Sequence, residues 1–339
     1  MHHLSIPACY FPSTVLFLDD SRDFLLNLVL QLDEGLAYRS FHSPQKALDY
    51  IRKKPCELEL LHHRGLTAKT SSKPPLNKTS AYDLAAIHKE VYNPHRFAEI
   101  SVAVVDYILP VMDGLEFCRR VENNYIKKIL LVGPADEALA RAAVKEGIIH
   151  RYIKKTDVNA LSEITNSISD LQSQYFQEMS ELIFQQLAIE PPFCLEDIEY
   201  SRFFNQFRED HHLLEYYLID SSGSFLLLDE DANVSFFIIK TKDDVKIHHQ
   251  FARLYHAAPD LLQKIAKGQK IPAGIQDSSL NISWEDWEKS LVSAELFIAD
   301  RTYYYAHVRG NIFPELRHRK ILSYHRYLEE IDAEELLIE

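Results

Sequence analysis

Thr14-Val-Leu-Phe-Leu-Asp19-Asp20 is an apolar run of strand length that ends in two adjacent carboxylates. A strand this apolar is buried on both faces, so its acids sit at the carboxyl edge of a sheet, where open α/β folds bind ligands. Carboxylates held side by side repel and need a cation or a proton between them. The pattern recurs downstream: Ser101-Val-Ala-Val-Val105 is a second buried-strand run, and it ends on Asp106. Three acids at the ends of two apolar strands predict a site for a hard cation.

Outward from these runs, the first half of the chain alternates strand and helix patterns, the mark of a parallel α/β sheet. Strands are expected near 14–18, 37–41, 101–105, 129–132 and 151–153. Ser21 is placed to cap a helix through Phe24, Leu25, Leu28, Val29 and Leu32, and Ser43-Pro44 to start one over Gln45 to Lys53. Gly114 opens a helix carrying Leu115, Phe117, Cys118 and Val121. Asp136 begins an alanine-rich helix that Gly147 ends. Five such strands give the flavodoxin-like order 2-1-3-4-5.

Two further stretches complete the pattern: Asp106-Tyr-Ile-Leu-Pro110-Val-Met-Asp113-Gly114, and Gly147-Ile-Ile-His-Arg-Tyr152-Ile-Lys154-Lys155. With the acid pair they resemble the receiver domain of two-component response regulators, the first matching its D-x-x-x-P-x-x-D-G loop and the second its last strand. The resemblance covers residues 13–157. It implies a phosphoacceptor at Asp106 and Mg²⁺ held by Asp20 and Asp106, with Asp19 helping through water and the Ile108 carbonyl adding an oxygen. It also implies a switch aromatic at Tyr152 and a phosphate-contacting lysine. Lys155 is that lysine rather than Lys154, because the family's follows its aromatic by three positions. The implied partner is a sensor histidine kinase or phosphotransfer protein.

Gly133 departs from the family, which has Thr or Ser at the end of the fourth strand to bind the phosphoryl group and draw the aromatic inward. Phosphorylation is expected to survive, with the Gly133 N–H or a water as the remaining phosphate contact and a weaker coupling to Tyr152. A second departure is length. Asp20 and Asp106 are 86 residues apart, about twice the family's spacing, so an insertion is placed at about 54–98. Its centre is polar, basic and proline-bearing, as surface loops are, and a short helix is expected over Tyr82–Val91.

The expected domains are an N-terminal extension (1–12), the receiver (13–157), its last helix and a linker helix (158–188), and an output domain (189–339). Along the helix, Leu161, Ile164, Ile168, Leu171, Tyr175, Met179 and Leu182 form an apolar stripe that ends before Pro191-Pro192. Its first part is expected to pack on the sheet. The rest is expected to leave the globule, either as a coiled-coil seam joining a homodimer or as an ordinary amphipathic helix. Beyond it, strand-like Leu213–Asp220, Phe225–Asp229 and Val234–Lys240 are joined by short turns and predict an antiparallel meander. A helix from about Val245 to Lys267 follows, then one capped by Ser283 and Asp286, two strands at Phe297–Ala299 and Tyr303–Val308, and a charged helical tail. The output reads as α+β.

Charge separates the candidate outputs. The net −13 lies wholly in the C-terminal half: residues 1–171 carry 21 Lys+Arg and 21 Asp+Glu, residues 172–339 carry 16 and 29. Duplex binding needs basic residues on phosphates, so nucleic acid is not an expected partner, although Arg317, Arg319 and Lys320 form a local basic group. The cyclase signature G-G-D-E-F and the motif H-D-x-G-Y-P are absent. Glu137-Ala-Leu139 spells a phosphodiesterase signature inside a receiver helix and is read as chance. A non-enzymatic, ligand- or protein-binding regulatory output fits best. A DNA-binding regulator, or an output with enzymatic or nucleotide-binding activity, stays open.

The histidine pairs at 62–63, 211–212 and 248–249 lack partners at metal-ligand spacing; His150 falls near the acid edge or, more simply, in the core. Cys9, Cys56, Cys118 and Cys194 lack disulfide or metal spacing and read as free thiols. No apolar run reaches the ~18 residues of a membrane span, so a cytoplasmic protein without a membrane partner is expected. The whole layout also resembles response regulators of bacterial quorum sensing, which implies control of motility and virulence.

Overall fold

Every residue from Thr14 to Leu18 and from Ile100 to Asp106 is buried, as strands covered on both faces must be. The computed structural model describes residues 6–53, 87–187, 189–273, 283–310 and 321–335. Its chain divides into two compact units, one comprising described residues of 12–53, 94–179 and 327 onward, the other those of 6–11, 87–93 and 180–326. The first strand, β1 (Cys9–Tyr10), belongs to the second unit.

The first unit runs β2 (Thr14–Leu18), α1 (Arg22–Val29), β3 (Tyr38–Phe41), α2 (Pro44–Lys53), β4 (Ile100–Asp106), α3 (Gly114–Arg120), β5 (Lys127–Val132), α4 (Glu137–Lys145), β6 (Arg151–Lys154) and the start of α5 (Ala160–Leu187). The sheet order is β3-β2-β4-β5-β6, all parallel, as the strand pattern predicts. Strand alternation splits the core into two layers. Leu16, Leu18, Ala103, Val105, Leu130 and Val132 pack against α2, α3 and α4. Val15, Phe17, Val102, Val104, Ile129 and Leu131 pack against α1 and α5.

The caps expected at Ser21 and Gly147 form, Asp113 adds one that was not expected, and Asp136 starts α4 without a side-chain cap bond. The Ser21 hydroxyl accepts from the Phe24 N–H, the Asp113 carboxylate from the Glu116 N–H, and Gly147 takes φ 72° just past α4.

The stripe on α5 is covered along most of its length. Ile164, Ile168 and Leu171 pack on the sheet, Tyr175 and Met179 are buried, and Leu182 is half-buried beside the buried Ile183 and Phe184. The Tyr175 hydroxyl donates to Glu99 Oε1 at 2.5 Å. Burial of most of the stripe within its own chain leaves little of it for a coiled-coil seam.

The second unit continues with α6 (Ile198–Asp210), β7 (Glu215–Leu218), β8 (Phe225–Leu228), β9 (Val234–Thr241), α7 (Lys242–Leu254), α8 (Pro259–Ala266), β10 (Lys270–Pro272), α9 (Trp284–Lys289), β11 (Leu291–Ser293), β12 (Glu295–Ile298) and β13 (Thr302–Arg309). Its main sheet, β1-β7-β8-β9-β13-β12, is antiparallel throughout. A last helix, α10, spans Tyr324–Glu335.

The helix expected over Val245–Lys267 is two. His256 takes φ 54° and Pro259 restarts the chain as the first residue of α8. Proline lacks the N–H that a continuing helix needs but suits a helix start. The insertion's core, 54–86, lies outside the described residues, as do His62-His63, Cys56 and Arg317, Arg319 and Lys320. Of the helix expected at Tyr82–Val91, residues 87–89 are helical and lead into a 3₁₀ turn at Glu90–Tyr92.

Candidate phosphoacceptor and metal site

Strand register brings the acids together. In the β2–β4 pair Leu18 lies opposite Val105, so Asp19 and Asp106 leave neighbouring strands at the same level of the carboxyl edge. Ligand oxygens of Asp19, Asp20 and Asp106 all fall within 4.8 Å of one another, the one such cluster among the described residues. Asp19 and Asp106 are buried and Asp20 is exposed. Three carboxylates are the hard oxygen donors that Mg²⁺ prefers, so the donor set fits the implied ion.

The two lysines at the end of β6 point to different partners. Lys155 Nζ lies 2.5 Å from Asp19 Oδ2 and 3.0 Å from Asp106 Oδ2. Lys154, one residue earlier, turns away and pairs with Glu137 Oε2 on α4 at 2.6 Å.

Burial raises the Asp106 pKa above the usual carboxylate range, and the Asp19 charge adds to the rise; Lys155 and the Ile108 N–H oppose it. Two side chains beside the site have no signal in the motif. The His42 Nδ1–H donates to the Asp19 carbonyl at 3.2 Å, and the Phe24 ring lies 4.4 Å from Lys155 Nζ. The Ser21 N–H donates to Asp19 Oδ1 at 2.9 Å.

The loop after Asp106 is tightly fitted. A Cβ on Gly114 would collide with the Asp106 carbonyl oxygen, and the Gly114 N–H donates to the Tyr107 carbonyl at 2.8 Å. Val111, fully exposed, takes φ 77°, a costly conformation for a β-branched residue. Ile108 is exposed, and its N–H holds Asp106.

Gly133 closes β5, beside Val132, whose carbonyl accepts from the Lys155 N–H at 3.0 Å. Tyr152 is half-buried against the α2–α4 layer, its hydroxyl 3.4 Å from Glu137 Oε1. His150 is not at the acid edge. It precedes β6 at the opposite end of the strand, where its Nδ1 accepts from the Lys128 N–H at 3.0 Å, and burial pushes its pKa down to about 4.

A flavodoxin-like sheet with this edge, in a chain that carries a separate antiparallel domain, defines a two-component response regulator. No protein-family model matches the chain, and no curated protein does. Among solved structures, the response regulator LqsR of Legionella pneumophila is 51% identical over 98% of both chains, with a TM-score of 0.85. The chain belongs to the LqsR family of response regulators.

An adenylate cyclase of Rhodopirellula baltica (21% identical, 51% of this chain and 97% of that one, TM-score 0.36) also matches. So does a receiver domain protein of Clostridium thermocellum (16%, 48% and 95%, TM-score 0.32). At such TM-scores neither carries an argument. Among the described residues no helix is long and apolar enough to cross a membrane, and Cys9, Cys118 and Cys194 are free thiols, all buried.

Proposed function

We propose that Asp106 is the phosphoacceptor and that residues 13–157 receive the phosphoryl group while residues 189–339 deliver a non-enzymatic output. The observation that carries this is the ammonium of Lys155 held against two buried carboxylates at a sheet's carboxyl edge. A carboxylate oxygen of Asp106 attacks phosphorus, the bond from phosphorus to the donor nitrogen of a phosphohistidine breaks, and that nitrogen regains a proton.

The attack brings negative charge into an acidic pocket, so catalysis here is positioning and charge neutralisation. The Ile108 N–H fixes the attacking carboxylate. Lys155 supplies one positive charge to the incoming phosphoryl oxygens. Asp20, Asp106 and the Ile108 carbonyl would hold Mg²⁺, with Asp19 supporting through water; the ion supplies the remaining neutralisation when bound.

The donor is a sensor histidine kinase or phosphotransfer protein, and the resemblance to quorum-sensing regulators extends the proposal to that pathway. Association into a homodimer on phosphorylation remains part of the reading. Its surface is α4, where Leu139 and Val144 are exposed, rather than the covered α5 stripe.

Incubation with a small phosphodonor and Mg²⁺ should add one phosphoryl group by intact mass. Asp106→Asn should abolish it. Equal labelling of that variant at the same site would refute the assignment.

A further inference from the structure

The second unit carries a cleft of about 390 Å³ against α6 and strands β11 to β13, a size that suits small ligands. One wall is aromatic. Phe203 meets Tyr305 edge to face at 4.9 Å, and Phe207 stacks on His211 at 4.2 Å and meets His307 at 5.0 Å.

Three of the cleft's donor groups are engaged by its walls. The Tyr305 hydroxyl donates to Glu295 Oε2 at 2.7 Å and Gln206 Nε2 to Asp210 Oδ1 at 2.9 Å. His211 Nδ1 lies 2.9 Å from the Phe207 carbonyl, which can only accept, so that nitrogen is the donor. His307 Nε2 is buried with no hydrogen-bond partner. Burial first, then His211 and Arg309, push the His307 pKa down to about 4, which leaves the ring neutral near pH 7.

The lining therefore presents two carboxylates and aromatic faces, and none of its residues is lysine or arginine. Anionic ligands meet repulsion there. A metal site is not formed either, because among the described residues three ligand atoms converge within 4.8 Å only at the receiver aspartates.

We propose that this cleft binds a small organic amine as its ammonium ion, paired with the Asp210 and Glu295 carboxylates, its apolar body on Phe203 and Tyr305. An ammonium over an aromatic face beside carboxylates gains from both. The site shares no residue with the receiver pocket, so it stands whether or not Asp106 is the phosphoacceptor.

The test uses the full chain and three probes that share a phenol ring and side-chain length but differ in charge: tyramine, tyrosol and 4-hydroxyphenylacetate. By calorimetry, tyramine should bind at least about fivefold more tightly than tyrosol, and the acid should not bind measurably. Asp210→Asn with Glu295→Gln should bring tyramine down to the affinity of tyrosol. Ser293→Trp, an exposed position on the cleft rim, should weaken both. It keeps the proposal testable if the double variant fails to fold.

Saturating Mg²⁺, which engages the receiver acids, should leave tyramine binding unchanged. The proposal is overturned by an acid that binds as well as the amine, by no tyramine binding at millimolar concentration, by binding indifferent to the variants, or by competition from Mg²⁺.

Discussion

Replacing Lys155 by methionine removes the ammonium shared by two buried carboxylates while keeping an unbranched apolar stem beside Phe24. The side chains of Asp19 and Asp106 are only 2% and 9% exposed, so solvent screens them poorly. With their oxygens within 4.8 Å, two unit charges repel by about 3 kcal/mol at an effective dielectric constant of about 20. In chelator near neutral pH, Lys155→Met should therefore unfold with about 3 kcal/mol less urea-derived stability than the parent chain.

Mg²⁺ should reverse the order of affinity. Lys155 competes with a cation for the same oxygens, so its removal should tighten Mg²⁺ binding by tenfold or more, about 1.4 kcal/mol per tenfold.

The pH dependence follows from Asp106, whose folded pKa is raised above its ordinary 3.8, with burial the main cause. A raised carboxyl contributes stability that is complete below the ordinary value and lost as pH climbs through the raised one. Without Lys155 the rise is larger, so the deficit of the variant should shrink between neutral pH and about pH 5. Urea unfolding at both pH values, in chelator and in Mg²⁺, measures all three effects. A variant as stable as the parent in chelator, or one that binds Mg²⁺ more weakly, would show that Lys155 is not the counter-ion of this pair.

Two more outcomes are expected. Val111→Asn should raise stability by about 1 kcal/mol in urea unfolding, because asparagine tolerates the φ of 77° that strains valine; a loss of stability would contradict that strain. Gly133→Thr should fold normally, since an added Cβ would meet only Asp136 Oδ2, at 3.4 Å. It should strengthen phosphate-dependent self-association about fivefold by sedimentation, the effect of one added hydrogen bond of ~1 kcal/mol. Identical association of both proteins with and without phosphorylation would remove the dimer switch.

The receiver was legible because two-sided burial prints itself on a sequence. Thr14–Asp20 and Ser101–Asp106 could be read as strands with acids at their exits, and parallel pairing of β2 with β4 then fixed the site. What sequence could not supply were contacts made across the fold. His42 and Phe24 reach Asp19 and Lys155 from other elements, and β1 is two residues long, defined only by pairing with Tyr216 and Tyr217.

Other misses had signals that were present. Tyr200, Phe204 and Phe207 recur at helical spacing behind Asp197, whose side chain caps α6. Pro259 marks the break between α7 and α8. The α5 stripe shows the limit of periodicity: an apolar face announces that it will be covered, not whether the cover comes from its own chain or from another.

The proposed capture of the phosphoryl group and its readout would rest on neighbouring residues with opposite ion pairs. Successive side chains of a strand point to opposite sides, so at the end of β6 Lys155 turns to the aspartates and Lys154 to α4. There Glu137 accepts from Lys154, from Arg141 at 2.9 Å and, at the long end of hydrogen bonding, from Tyr152. Lys154 and Arg141 hold the Glu137 carboxyl below its ordinary pKa. In this chain Gly133 offers no hydroxyl to tie a phosphate to the aromatic, yet the strand end that carries the aspartate-facing lysine also carries the residue that holds Glu137. The acids, the lysine and the register are set by the sheet and do not depend on position 133. A change at Gly133 should therefore act on the strength of the response and leave the capacity for phosphorylation intact, and comparing the two readouts in Gly133→Thr separates these roles.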